Sequence, residues 1–404
     1  MAENKDKKVL NVPHLRFPEF SGEWKVERLD EIATLSKGIG ISKEQVSNDG
    51  EPCILYGELY TKYKSEIIKE ISSRTNIDNS KLKRSKANDV IIPCSGETAV
   101  DIATARCVPF DNILLGGDLN IISLYQYDGA FMSYQLNGKR KYDIAKVAQG
   151  VSVVHLYGEH LKAISTYNPC LQEQQKIAKL LSLLDDRIAT QNKIIKDLKK
   201  LKSAIAQKLL NDRVLLETRI SLGEVCELKN GYAFKSTSYC RDGKYKIITI
   251  TNVQGDRYIS TEDCKTISYL PKDLQKHQVL RENDILISMT GNVGRVSLCN
   301  DGHYLLNQRV GLLAPKIKEV EFLFQVLVSE HFEQSMIACG QGAAQMNIGK
   351  SDIDGYMLPF SRKSDNMNHI AKVLLSYDSC TNTNVKLLDY LILQKQYLLS
   401  HMFI

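Results

Sequence analysis

The 404-residue chain has no run of about 18 apolar residues, the length a helix needs to cross a bilayer. Its first ten residues, MAENKDKKVL, lack the apolar centre of a signal peptide. Ten cysteines are present, yet no two form a C-x-x-C pair, which argues against a structural zinc site and a dithiol redox motif. Thiols scattered in this way fit a reduced, cytoplasmic setting. The eight histidines form neither H-x-x-x-H nor H-E-x-x-H, so no metal site is expected.

Catalytic loops are missing as well. No G-x-x-x-x-G-K-[ST] phosphate loop occurs. TGNVG (290–294) is glycine-rich but lacks the lysine and hydroxyl that hold a nucleotide, and reads as a turn between strands. YNPC (167–170) lacks the second proline and the aromatic of the [DN]-P-P-[YF] loop with which adenine methyltransferases hold a flipped base, and reads as a helix entry. Asp185 and Asp186 are neighbours on a predicted helix, point to different faces, and read as solvated charges rather than an acid–base pair. A free-standing methyltransferase or nuclease is therefore disfavoured.

What the chain does have is a second copy of itself, displaced by about 193 residues. LDEIATLSKG (29–38) falls on LGEVCELKNG (222–231), NDVIIPCSG (88–96) on NDILISMTG (283–291), AQGVSVVHL (148–156) on GQGAAQMNI (340–348), and IAKLLSLLDDRI (177–188) on IAKVLLSYDSCT (370–381). The period is too long for a solenoid; it is one globular module plus one long helix, used twice. Within each module the pattern reads as α+β. Strands are expected at 52–58, 89–93 and 119–125, with counterparts at 246–253, 284–289 and 309–314. Helical stretches are expected near 131–148 and 320–338.

Residues 170–211 contain neither glycine nor proline. Apolar residues recur there at heptad steps: Ile177, Leu181, Leu184, Ile188, Ile195, Leu198, Ile205 and Leu209, skipping Gln191 and Lys202. The second copy supplies Ile370, Leu374, Tyr377, Leu388, Leu391, Leu398 and Met402, with Thr381 and Asn384 as polar steps. Such polar steps lower stability but favour one alignment. The expected architecture is two similar globular domains separated by two long antiparallel helices in a coiled coil, a pseudo-two-fold repeat. The expected boundaries are 1–168 for the first domain (1–11 a charged, disordered arm), 169–213 for the central helix, 214–361 for the second domain and 362–404 for the closing helix. Segment 176–213 carries ten basic and four acidic side chains, a surplus equal to the net +6 of the whole chain. A solvated helix face explains that, and so does a place beside a polyanion.

The remaining candidates are polar and basic loop residues. In the first module they are Lys37, Lys43, Ser95, Glu97, Thr98, Asp118, Asn120, Lys139, Arg140, Lys141 and Ser152. In the second they are Lys229, Tyr232, Lys235, Thr290, Asn292, Arg295, Asn307, Gln308, Arg309, Gln345 and Asn347. Arg reads guanine and Asn or Gln reads adenine by paired hydrogen bonds, while Lys mostly meets phosphate. Each is also what an ordinary surface carries. The frame of the repeat is kept while its loops diverge, as in one scaffold reading two different sequences; NQR (307–309) faces GDL (117–119) in the other copy.

VPHLRFPEFSGEW (12–24), the two LDEIATLSKG-type blocks, NDILISMTGNVGR (283–295), GAAQMNIGKSDI (342–353) and LQEQQKIAKLLSLLDDRI (171–188) together resemble the specificity subunits of type I restriction-modification systems over nearly the whole chain. The resemblance implies that each globular half is a target recognition domain for one half of a split, asymmetric site in double-stranded DNA. It implies that the paired helices set the gap between the half-sites. Two modification subunits would dock there, carrying S-adenosylmethionine and adenine N6 chemistry, and restriction subunits using ATP and Mg would join them. This chain itself would be a non-catalytic subunit without cofactor. The competing reading is a coiled-coil scaffold whose two domains bind proteins.

Overall fold

The computed structural model describes residues 10–78, 80–150, 152–340 and 346–404. Two compact units divide it, residues 1–192 with 387–404 and residues 193–386. Four helices frame the two modules: α1 Gly129–Asn137, α2 Leu171–Leu210, α3 Val320–Leu327 and α4 Ser364–His401. Both long helices cross the boundary, so each unit holds one module and one half of each helix.

In the first unit the central sheet is antiparallel. Its strands are β1 Ala33–Lys37, β2 Asp89–Pro93, β3 Arg106–Val108 and β4 Leu119–Leu124, in the order β1-β4-β2-β3. In the second unit β5 Cys226–Asn230, β6 Ile285–Ser288, β7 Val296–Leu298 and β8 Val310–Pro315 repeat that order as β5-β8-β6-β7. The repeat extends to a second sheet, five-stranded in the first unit and three-stranded in the second. Glu51–Ile54 pairs in parallel with Leu114–Leu115, and Tyr245–Ile248 pairs in parallel with Tyr304–Leu306. It extends also to the strands that lead into the long helices, Lys25–Arg28 with Ser165–Asn168 and Thr218–Ser221 with Met357–Phe360.

Two expected elements are shorter than the apolar runs suggested. The run at 52–58 ends as a strand at Ile54, because the Glu58 carboxylate accepts from the Leu55 backbone N–H (3.0 Å) and turns the chain. The run at 246–253 ends at Ile248, where Asn252 accepts from the Thr249 N–H (2.8 Å). The helical stretches are each two helices: a break at Gly138 separates α1 from Lys141–Val147, and one at Ser329 separates α3 from Glu330–Gly340. A side-chain hydrogen bond at a turn is invisible to apolar periodicity.

Within each unit the two long helices run antiparallel. Ile177, Ala178 and Leu181 share a core with Met402 and Phe403 in the first unit. Ala206 and Leu210 share one with Ile370, Ala371 and Leu374 in the second. Every expected seam residue is buried or half-buried. Trp24, the only tryptophan, lies edge-on to Phe131 (5.8 Å) and Phe403 (6.4 Å), joining the module to the end of α4.

The two skipped seam steps are also filled. Gln191 is buried, and Lys202 reaches Asp378 on α4 at 2.6 Å. Its copy 193 residues on, Lys395, reaches Asp185 on α2 at the same 2.6 Å. Asp185 is therefore not a solvated charge. It is buried, and accepts from Tyr134 Oη on α1 (2.6 Å) and Ser65 Oγ (2.9 Å). Only Asp186 faces outward, where it pairs with Lys69. Asp378 likewise accepts from Gln325 on α3 (2.7 Å) and meets Arg257 (3.1 Å). Glu66 occupies in the first unit the step Arg257 occupies in the second, beside Cys107 and Leu298 respectively, and shares Lys395 (2.6 Å). Each unit thus has one polar knot that ties both long helices to its module.

Candidate nucleic-acid interface

Four loops meet at one end of each central sheet, held by matching backbone bonds. In the first unit Cys94 N–H donates to Asp118 O (2.7 Å), Leu156 N–H donates to Cys94 O (2.7 Å), and His155 pairs with Ser95. In the second, Met289 N–H donates to Arg309 O (3.0 Å), Ile348 N–H donates to Met289 O (3.0 Å), and Asn347 pairs with Thr290. Asp118 therefore matches Arg309, His155 matches Asn347 and Ser95 matches Thr290. The strand that enters this edge ends at Gly38 in one module and Gly231 in the other. A Cβ on Gly38 would lie 2.0 Å from Gly116 O, and one on Gly231 would lie 2.0 Å from Asn307 O, so neither place admits a side chain.

In the first module the edge carries Lys37, Ser95, Asp118 and a basic–aromatic group. Lys37 Nζ lies 5.8 Å from the centre of the Tyr157 ring, which stacks on His155 (6.1 Å) and meets His160 edge-on (5.6 Å). His155, Tyr157 and His160 are absent from the candidates chosen by sequence. Their signal is the close run H-L-Y-G-E-H (155–160), a basic and aromatic cluster at a helix entry. Asn120 is buried and donates to Leu156 O (2.9 Å), so it braces the loop rather than facing solvent. Ser152 and Glu97 are exposed in the adjoining loops. Thr98 is engaged as the N-cap of Ala99–Ile102, accepting from Asp101 N–H (3.1 Å). Lys43 lies on the short turn Lys43–Gln45, just before a strand of the second sheet.

Lys139, Arg140 and Lys141 do not join this edge. Arg140 donates to Ile404 O (3.2 Å), pairs with Asp143 (3.2 Å) and lies over the Tyr167 ring (5.2 Å). Burial holds the Lys141 ammonium below its ordinary pKa. Arg140 thus braces the C-terminal residue, and Lys141 is half-buried.

In the second module Thr290, Asn307, Gln308, Arg309 and Asn347 come together, with Tyr232 bonded through its backbone to Leu306 and Gln308. Tyr232 Oη donates to Asp273 (2.8 Å). The expected glycine turn is present at 290–294, with Gly291 and Gly294 at positive φ. Asn292 is exposed at its tip, and Arg295 leans on Glu333 (3.4 Å). Lys229 pairs with Glu227 (3.5 Å), and Lys235 is exposed just before the turn Ser236–Ser238. Gln345 and the start of GAAQMNIGKSDI lie outside the described residues.

Much of the positive surplus on α2 is locally balanced: Lys176 pairs with Glu19, Lys199 with Asp256 (2.9 Å) and Lys202 with Asp378. Among the described residues no three His, Cys, Asp or Glu side chains stand together as metal ligands would, and no helix is long and apolar enough to cross a membrane.

One module built twice, each ending in half of a shared helical pair and each presenting the same loop edge with different side chains, defines a class of two-site recognition proteins. The family described as the type I restriction modification DNA specificity domain matches the chain twice, over residues 21–200 and 218–391, and the chain belongs to that family. It is the specificity subunit of a type I restriction-modification system, a non-catalytic component with two target recognition domains. It is 27% identical over 362 residues to the type I restriction enzyme MjaVIII specificity subunit of Methanocaldococcus jannaschii, covering 82% of this chain and 80% of that one. A second protein of that organism, the putative type I restriction enzyme MjaX specificity subunit, is 28% identical over 235 residues, 54% of this chain and 53% of the relative. The solved S subunit of a type I system from M. genitalium shares the fold with a TM-score of 0.63 at 18% identity, over 97% of this chain and 99% of that one.

Proposed function

We propose that the chain binds double-stranded DNA at a bipartite, asymmetric site, each loop edge reading one half, and that the two long helices set the gap. In this reading it recruits two modification subunits, which bring S-adenosylmethionine and the adenine N6 chemistry, and restriction subunits that bring ATP and Mg. The reaction then takes place on partners, in the cytoplasm, and this chain holds no cofactor. A target adenine must leave the duplex to be methylated, which is work for a partner with a closed pocket.

The observation that supports this best is the pair of matched edges. The two edges have the same pattern of backbone bonds, while Asp118 is replaced by Arg309, His155 by Asn347 and Tyr157 by Gly349 at equivalent steps. Lys37 and Lys235 are suited to phosphate, and Ser95, Thr290, Asn292, Asn307, Gln308 and Asn347 to base edges. A gel-shift with duplex carrying the site, with and without the modification subunit, tests the reading. Specific binding should fall with salt on a log–log slope of about −0.9 per phosphate contacted. A complex that binds its partners but no duplex at any salt would leave only the scaffold reading.

A further inference from the structure

We propose that Asp118 and Arg309 are matched base readers, Arg309 recognising a guanine in one half-site and Asp118 the amino group of a cytosine in the other. This rests on the reading that the two loop edges face DNA. The two residues hold the same place: each carbonyl accepts the backbone N–H one residue before the Ser95 or Thr290 step. Both side chains are exposed on loops whose backbones are tied down. Val310 N–H donates to Asn307 O (2.9 Å) to close the turn under Arg309.

The Arg309 guanidinium has no partner among the described residues. Two other arginines of its module are held by acids, Arg257 by Glu321 (2.7 Å) and Arg295 by Glu333 (3.4 Å). A guanidinium without a partner on a fixed backbone is available to an outside acceptor, and its fork of donors fits guanine O6 and N7. Asp118 sits at φ +57°, a left-handed conformation that non-glycine residues adopt at a cost and that tends to cluster at working sites. Ser95 Oγ donates to its carboxylate (3.3 Å), fixing one oxygen and leaving the other able to accept. A carboxylate beside DNA is repelled by phosphate and is tolerated where a base offers a donor, as cytosine N4 does. Opposite charge at one step also makes the two half-sites unlike, as an asymmetric site requires.

The test maps methylated adenines in cells whose only adenine methylation comes from this chain with its modification partner. Arg309→Ala should relax one position of one half-site, roughly ten- to a hundredfold in discrimination, and leave the other half-site as an internal control of folding. Arg309→Lys should relax the same position, because it keeps the charge and loses the fork; a phosphate contact predicts an unchanged motif instead. Asp118→Asn, which tolerates positive φ, should shift one position of the opposite half-site from cytosine towards adenine. An unchanged motif in these variants, or equal loss in both halves, overturns the matched-reader inference alone. A wild-type complex with no bipartite motif overturns the DNA reading beneath it as well.

Discussion

Lys202 and Lys395 look interchangeable in the repeat, but their surroundings differ. Asp378 keeps Arg257 and Gln325 if Lys202 is lost. Asp185 and Glu66 share Lys395 as their close cation, with Arg106 farther off giving its hydrogen bonds to Leu59 O and Tyr63 O. Burial already raises the Glu66 carboxyl pKa, against the pull of Lys395. Lys395→Met should therefore cost about 3–5 kcal/mol at neutral pH, and Lys202→Met distinctly less. Without the ammonium the Glu66 pKa rises further above its unfolded value, so the folded state gains protons that the unfolded state releases. The Lys395→Met deficit should shrink as pH falls from neutral into the carboxylate range. Melting curves at several pH values check this; a deficit that stays constant or widens on acidification would contradict it. The knots were only half legible in sequence. Heptad spacing exposed the seam and its two gaps, but nothing local shows that a seam lysine finds an aspartate 176 (Lys202–Asp378) or 210 (Lys395–Asp185) residues away.

At the scale of elements, the long helices were the most legible part because an apolar stripe over five turns or more is a strong periodic signal. They run over Leu171–Leu210 and Ser364–His401. The sheet strands were legible where both faces are buried, as in NDVIIP and NDILIS. They were overextended where a side chain caps the turn, as at Glu58 and Asn252. If the paired helices set the gap, one heptad added to each, after Asn192 and after Lys386, keeps the seam in phase. It adds about 10 Å at 1.5 Å per residue, about three base pairs at 3.4 Å each. Methylation mapping should then return both half-sites unchanged with a gap about three base pairs wider. A gap indifferent to the insertion would refute the spacer role. A substitution that distorts one edge should act on one side only: Gly231→Ala, which drives a methyl into Asn307 O, should weaken recognition of a single half-site.

For the molecule as a whole, duplication was the decisive signal, and it survives in the structure down to the order of strands and the polar knots. The loop tips carry unlike side chains: Asp118, His155 and Tyr157 hold the steps that Arg309, Asn347 and Gly349 hold in the other unit. That edge was partly legible. Of the polar candidates taken from sequence, Ser95 and Asp118 lie together in the first unit and Thr290, Arg309 and Asn347 in the second, whereas Arg140 reaches the C-terminal Ile404, because charge alone does not reveal where a side chain packs. The most direct test of the account is a map of methylated adenines in DNA from cells carrying this chain and its modification subunit. Two short, unlike half-sites at a constant spacing are predicted; methylation at one uninterrupted motif, or a pattern unaltered by removing this chain, would contradict it.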